Sequence, residues 1–108
     1  MKSEKTLDVA VDQLLEDAEQ RRLELVRADL DLCHTLAGVA ETEIGLGDRE
    51  HAARAFSRAA RGYVEIHRLI EQGRGWDESV TNDLAEELAN VRQELNRVQQ
   101  LIQPPQNS

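Results

Sequence analysis

The chain is 108 residues long and carries a formal net charge of -8, with 40% hydrophobic and 31% charged residues. Those proportions describe one globular domain rather than a disordered segment. A domain of this size buries ~65% of its unfolded surface, enough for one core but not for a deep substrate cavity as well. The acid excess argues against non-specific nucleic-acid binding, which rests on Lys and Arg neutralising phosphates, and against docking on anionic membranes.

The only aromatic residues are Phe56, Tyr63 and Trp76, so the core must be built from Leu, Val, Ile and Ala. Twelve alanines suit close helix packing better than a β-sheet. Cys33 stands alone, which rules out an intrachain disulfide and fits a reducing compartment. The opening Met1-Lys2-Ser3-Glu4-Lys5 reads as no signal peptide, and the apolar runs are too short to span a bilayer. A cytoplasmic protein is expected.

Glu4 to Ile44 contains no proline and only one glycine, Gly38, and its apolar residues recur at helical spacing. One stripe is Leu23, Val26, Leu30, Cys33, Ala37, Ala40 and Ile44; a second is Leu25, Leu32, Leu36 and Val39. Two stripes predict a helix sandwiched between neighbours. Leu7, Val11, Leu14, Leu15 and Ala18 precede them, and Glu19-Gln20-Arg21-Arg22 interrupts the pattern. These four are good helix formers, so either one helix of about 60 Å or a kink at residues 19–22 is compatible with the sequence.

Gly45-Leu46-Gly47-Asp48 ends this element, with glycine as the left-handed cap and Asp48 as the next N-cap. The spacing predicts a second helix over 49–72, apolar along Ala52, Phe56, Ala59, Tyr63, Ile66 and Ile70. Beside that line run the small residues Ala52, Ala55, Ala59 and Gly62, which are expected to press against Ala37, Gly38 and Ala40. Gly73-Arg74-Gly75 is read as the stop, Asp77 as an N-cap and residues 78–102 as a third helix. Its Leu84, Leu88, Val91, Leu95, Val98 and Ile102 alternate steps of four and three, a heptad seam. That seam either closes a three-helix bundle or pairs with a second chain. Residues 104–108 read as a disordered tail after a single helical domain over 1–103.

The stretch from Gly47-Asp48 through Ala52, Phe56 and Ala59 resembles the loop and second helix of a tetratricopeptide repeat, where an alanine, an aromatic and an alanine recur at this spacing. The resemblance covers roughly residues 33–66 as a single copy. It implies a tight helical hairpin in which Leu36, Ala52, Phe56 and Ala59 pack. Glu43 stands where the family usually has an aromatic, and Val64 where a helix-ending proline is common. A solenoid groove needs three or more repeats, so the family's ligand groove is not implied.

No catalytic, metal or nucleotide motif stands out. Asp31 and His34 lie one turn apart, but no partner carboxylates are evident at matching spacing on the later helices. Cys33 and His34 point about 100° apart and form no dyad. The paired acids Glu16-Asp17, Glu41-x-Glu43 and Glu86-Glu87 read as solvated faces. One surface feature is distinctive. His51, Arg54, Arg58, Arg61 and Arg68 share a stripe of the second helix, and residues 48–72 hold five arginines against four acids. The stripe is either a solvated face bridged to its neighbours or a docking strip for an acidic peptide or a second subunit.

The expectation is an all-α antiparallel three-helix bundle with a long first helix and a tetratricopeptide-like central hairpin. Its core should contain Leu25, Leu32, Leu36, Val39, Ala52, Phe56, Ala59, Tyr63, Ile66, Leu88, Val91 and Leu95, with Trp76 at one end. Its function is read as a non-enzymatic protein–protein interaction module, an adaptor or regulator that pairs with another protein or with itself, without a cofactor. The alternative is a small helical metal-binding or enzymatic bundle.

Overall fold

The fold is known from a computed structural model that describes residues 2–72 and 76–103, with side chains from residue 7 onward. It is an all-α three-helix bundle: α1 (Lys2–Gly45), α2 (Arg49–Gln72) and α3 (Glu78–Ile102), each packed on the other two. The chain runs up, down and up, so α2 is antiparallel to both neighbours, and α1 and α3 point the same way. The expected stop at residues 73–75 and the tail at 104–108 lie outside the described residues.

Helix α1 is continuous through Glu19–Arg22 for 44 residues. That segment holds no glycine or proline, and Glu19 pairs with Arg22 one turn on, at 3.5 Å. At the standard rise α1 is roughly 66 Å long, against roughly 36 Å for α2. The difference explains an elongated molecule of 76 × 22 × 17 Å.

The α1–α2 turn is a Schellman motif. Gly47 takes the left-handed φ of 84°, its N–H donates to the Ile44 carbonyl at 3.0 Å, and Asp48 N–H donates to Glu43 at 2.8 Å. Asp48 then caps α2: its Oδ1 accepts the His51 backbone N–H at 3.0 Å. Asp77 occupies the N-cap of α3 with extended φ and ψ but makes no side-chain capping bond.

The buried core is Val26, Leu30, Cys33, Ala37 and Ala40 of α1, Ala52, Ala55, Ala59 and Ile66 of α2, and Leu84, Leu88, Val91, Leu95 and Val98 of α3. Helix α1 thus buries the first of its two apolar stripes. The second faces water, with Leu25 53%, Leu32 51% and Val39 42% exposed, which corrects the expectation that these three belong to the core. Two neighbours on one side suffice for α1, and α1 is not sandwiched. Leu36, Phe56 and Tyr63 are half-buried at the rim.

Small residues bring α1 and α2 together. A Cβ built on Gly62 would sit 2.9 Å from Cys33 Sγ, and that thiol donates to the Ala59 carbonyl at 3.5 Å. Gly38 has no part in this approach, since a Cβ there would meet nothing within 4 Å. The heptad seam of α3 is buried within the chain, so it closes the bundle and is not left for a second chain. Trp76 donates its indole N–H to the Glu19 carbonyl at 3.3 Å and closes the end of the bundle. No helix among the described residues is long and apolar enough to cross a membrane.

Candidate functional site

Beyond Trp76, α1 continues alone. Every described residue from Leu7 to Ala18 is exposed, on all sides of the helix. This overhang carries Leu7, Val9, Val11, Leu14 and Leu15 to solvent. After Lys2, Glu4 and Lys5 its charges are one-signed: Asp8, Asp12, Glu16 and Asp17 lie within residues 7–18, with no Lys or Arg.

The apolar residues of the overhang are in register with the exposed stripe of the bundle. Leu7, Val11, Leu14, Ala18, Leu25, Ala28, Leu32 and Val39 fall on one heptad frame, with Arg21 and Thr35 filling its two polar positions. All ten positions are exposed. The frame runs roughly 150° round the helix from the buried stripe of Val26, Leu30, Cys33, Ala37 and Ala40. The polar run Glu19-Gln20-Arg21-Arg22 divides the frame into two apolar pieces in the sequence. The 4-3 spacing alone carries it across the polar break.

Part of the basic stripe of α2, His51, Arg54 and Arg58, borders the same face. His51, Arg54, Arg58, Arg61 and Arg68 are all exposed. Arg54 pairs with Glu50 at 3.3 Å and Arg68 with Glu65 at 3.8 Å, both within α2. Such exposed pairs are worth a few tenths of a kcal/mol, about 0.3–0.5. Arg58 and Arg61 make no ion pair among the described residues. Arg54 and Arg58, with His51 and Ala55, form one wall of a groove whose other wall is Leu36, Val39 and Glu43 of α1. Arg61 lies round the helix, beside Phe56, Ala60 and Val64 on a shallow apolar surface. Of the packing residues read from the hairpin, Ala52 and Ala59 are buried, and Leu36 and Phe56 sit at the rim beside these two surfaces.

Two polar clusters were not legible in the sequence. His34 Nδ1 lies 2.6 Å from Glu94 Oε2, joining α1 to α3, so a later helix does offer a carboxylate to His34. A turn further on, Arg97 donates to Glu41 at 3.0 Å. Glu94 and Arg97 both flank the heptad seam of α3, but which residue of α1 each meets depends on helix stagger, which no local pattern encodes. His67 pairs only with Glu71 in its own helix, at 3.4 Å. At the α1–α2 turn, Glu43, Asp48 and His51 bring potential ligand atoms within 4.8 Å of one another. Both Asp48 oxygens already serve His51, one at its backbone N–H (3.0 Å) and one at Nδ1 (2.8 Å). Those two bonds hold the Asp48 carboxyl below its ordinary range, the backbone bond most strongly. This arrangement is explained by helix capping.

Cys33 is buried against α2, and desolvation, with the Asp29 carboxylate adding to it, pushes its thiol pKa up. A thiol so placed is a poor nucleophile. No protein-family model, curated protein or solved structure matches this chain.

Proposed function

We propose that this chain is a non-enzymatic protein-interaction module, an adaptor or regulatory helical domain of the cytoplasm. One observation carries the reading: the heptad frame from Leu7 to Val39 lies in water along the whole of α1, opposite the buried core. An apolar seam of period 3.5 is the pattern by which one helix receives another. An exposed row of apolar residues of this length, broken only at Arg21 and Thr35, marks an interaction face. The hairpin over 33–66 is read as a single tetratricopeptide-like unit that stiffens this face, with no repeat groove of its own. The buried lone thiol supports a reducing compartment.

A metal-binding reading has the Glu43, Asp48 and His51 cluster in its favour. It is the weaker reading, because a metal would have to displace the bonds that cap α2.

The test is site-specific photocrosslinking in the native cell. A photoreactive residue replaces Leu14, Leu25 or Leu32 on the seam, or Gln93, an exposed residue of α3, as the control. Protein adducts at the three seam positions and none at Gln93 are expected. A seam that yields no protein adduct would remove the basis of the reading.

A further inference from the structure

We infer that the seam's partner is a second copy of this chain, and that the two α1 helices pair antiparallel, each overhang lying in the α1–α2 groove of the other. The inference rests on the interaction reading above and names its partner.

Charge selects the second copy and the direction. The overhang presents four carboxylates and no base over residues 7–18. Arg54 and Arg58 of α2 lie beside the bundle half of the same seam, across a groove from Glu43, and Arg58 has no ion pair among the described residues. The molecule thus carries an acidic apolar rod and a basic-walled apolar groove, each fitted to the other and unable to meet within one chain. Parallel pairing would lay acidic overhang against acidic overhang. Antiparallel pairing lays each overhang against the opposite bundle.

The register is self-consistent. In an antiparallel coil, layers join heptad positions of the two core types, so paired residue numbers sum to a constant. With that sum at 46, Leu7 meets the partner's Val39, Val11 its Thr35, Leu14 its Leu32, Ala18 its Ala28 and Arg21 its Leu25. The whole frame overlaps, over roughly 50 Å of helix. The contact is two-fold symmetric and closes on itself, as isologous dimers do.

The flanks follow from the same geometry. Of the α1 residues that face α2 across the groove, Val39 belongs to the seam, and Leu36 and Glu43 share one flanking heptad position. In an antiparallel pair like flanks face each other. Asp8 and Leu15 occupy that flank of the overhang, and Asp12 lies one step further round toward α2. Asp8 and Asp12 of each copy therefore come beside Arg54 and Arg58 of the other. Both pairs have i, i+4 spacing, and the overhang runs parallel to the partner's α2. On this flank Asp8 also comes near the partner's Glu43, and on the other flank Asp17 meets the partner's Asp31 and Glu24 meets its own counterpart, all of which opposes pairing and makes the arginine contact decisive.

Two variants test this. One carries Arg54→Glu and Arg58→Glu, the other Asp8→Lys and Asp12→Lys; all four positions are exposed. Sedimentation equilibrium of the wild-type chain at tens of micromolar should give a dimer. Each variant alone juxtaposes like charges, and its dimer should weaken by about tenfold or more, with cooperative urea unfolding showing that the three-helix core is still folded. Mixed one to one, the variants restore opposite charges at both ends of the contact, and a heterodimer of near wild-type affinity should form. A wild-type monomer at 100-fold dilution and at full concentration alike, homodimers untouched by the reversals, or a mixture that stays monomeric would each overturn the inference. Crosslinks from the seam to a different protein overturn the second copy but keep the interaction module, whereas a seam without any protein adduct loses both.

Discussion

Replacing Gly62 with alanine sets two effects of opposite sign against each other. In a helix interior alanine is favoured over glycine by about 1 kcal/mol, because glycine loses more backbone freedom on folding. The new Cβ would lie 2.9 Å from Cys33 Sγ, closer than carbon and sulfur tolerate, so either the thiol or the helix pair must move. Cys33 is only 2% exposed and its thiol is tied to the Ala59 carbonyl, so there is little room to give. Overpacking of this kind costs about 1–3 kcal/mol. The net expectation is a loss of about 0–2 kcal/mol. In a Cys33→Ala background the obstructing sulfur is gone, and the same Gly62→Ala change should stabilise by up to about 1 kcal/mol. The coupling between the two sites is then about 1–3 kcal/mol. Urea unfolding of the four proteins in a double-mutant cycle measures it. A coupling below about 0.5 kcal/mol would show that α1 and α2 do not approach as closely as described.

The two stripes of α1 should respond unequally to truncation. Leu30→Ala leaves a cavity in the core and should cost about 2–5 kcal/mol, while Leu32→Ala should cost under about 0.5 kcal/mol in dilute solution; urea midpoints that reverse this order would refute the burial. The Asp48 carboxyl has a lowered folded-state pKa, so its contribution is present above the ordinary Asp range and disappears as pH falls through the folded value. The stability advantage of wild type over Asp48→Ala should accordingly shrink on acidification below about pH 4, read as a converging pair of melting temperatures. The buried Cys33 thiol should resist alkylation in the folded chain and react only as fast as the bundle opens, with the rate rising in parallel with added urea.

The helices were legible because their signals are local. Gly47 and Asp48 announce the turn, the 4-3 spacing of Leu84 to Ile102 announces α3, and small residues at 52, 55, 59 and 62 mark where a neighbour approaches. What failed was the choice between the two stripes of α1. Leu25, Leu32 and Val39 are bulkier than Cys33, Ala37 and Ala40, and bulk alone favours burying them. The alanine and glycine face of α2 reverses that preference, since close approach suits small residues on both helices. A sequence holds that information only as a pairing between distant positions. The same holds for His34 with Glu94 and Arg97 with Glu41, whose meeting depends on the stagger of α1 against α3. Of the candidate site, the arginine stripe was visible in the sequence, but the apolar wall that Leu36 and Val39 add to it was not.

Helix α1 asks for something its own bundle does not supply. Its 44 residues exceed α2 by some 20, and Leu7 to Ala18 are exposed, with Trp76 bordering only Leu15 and Glu16. A lone segment of this length is marginal as a helix in water, and helices in proteins owe most of their stability to burying an apolar face. The face exists, but it follows a strict 3.5-residue period over more than four heptads. On a straight helix such a frame drifts about 20° per heptad, so it stays on one side only when a partner helix coils round it. The order of the overhang should thus report occupancy of the seam. Amide hydrogen exchange over residues 8–18 should be fast in dilute solution and slow as the second copy binds, while exchange at Val26 to Ala40 stays slow throughout. Protection of residues 8–18 that does not change with protein concentration would show that the overhang is stable by itself and that its order owes nothing to pairing with a second copy.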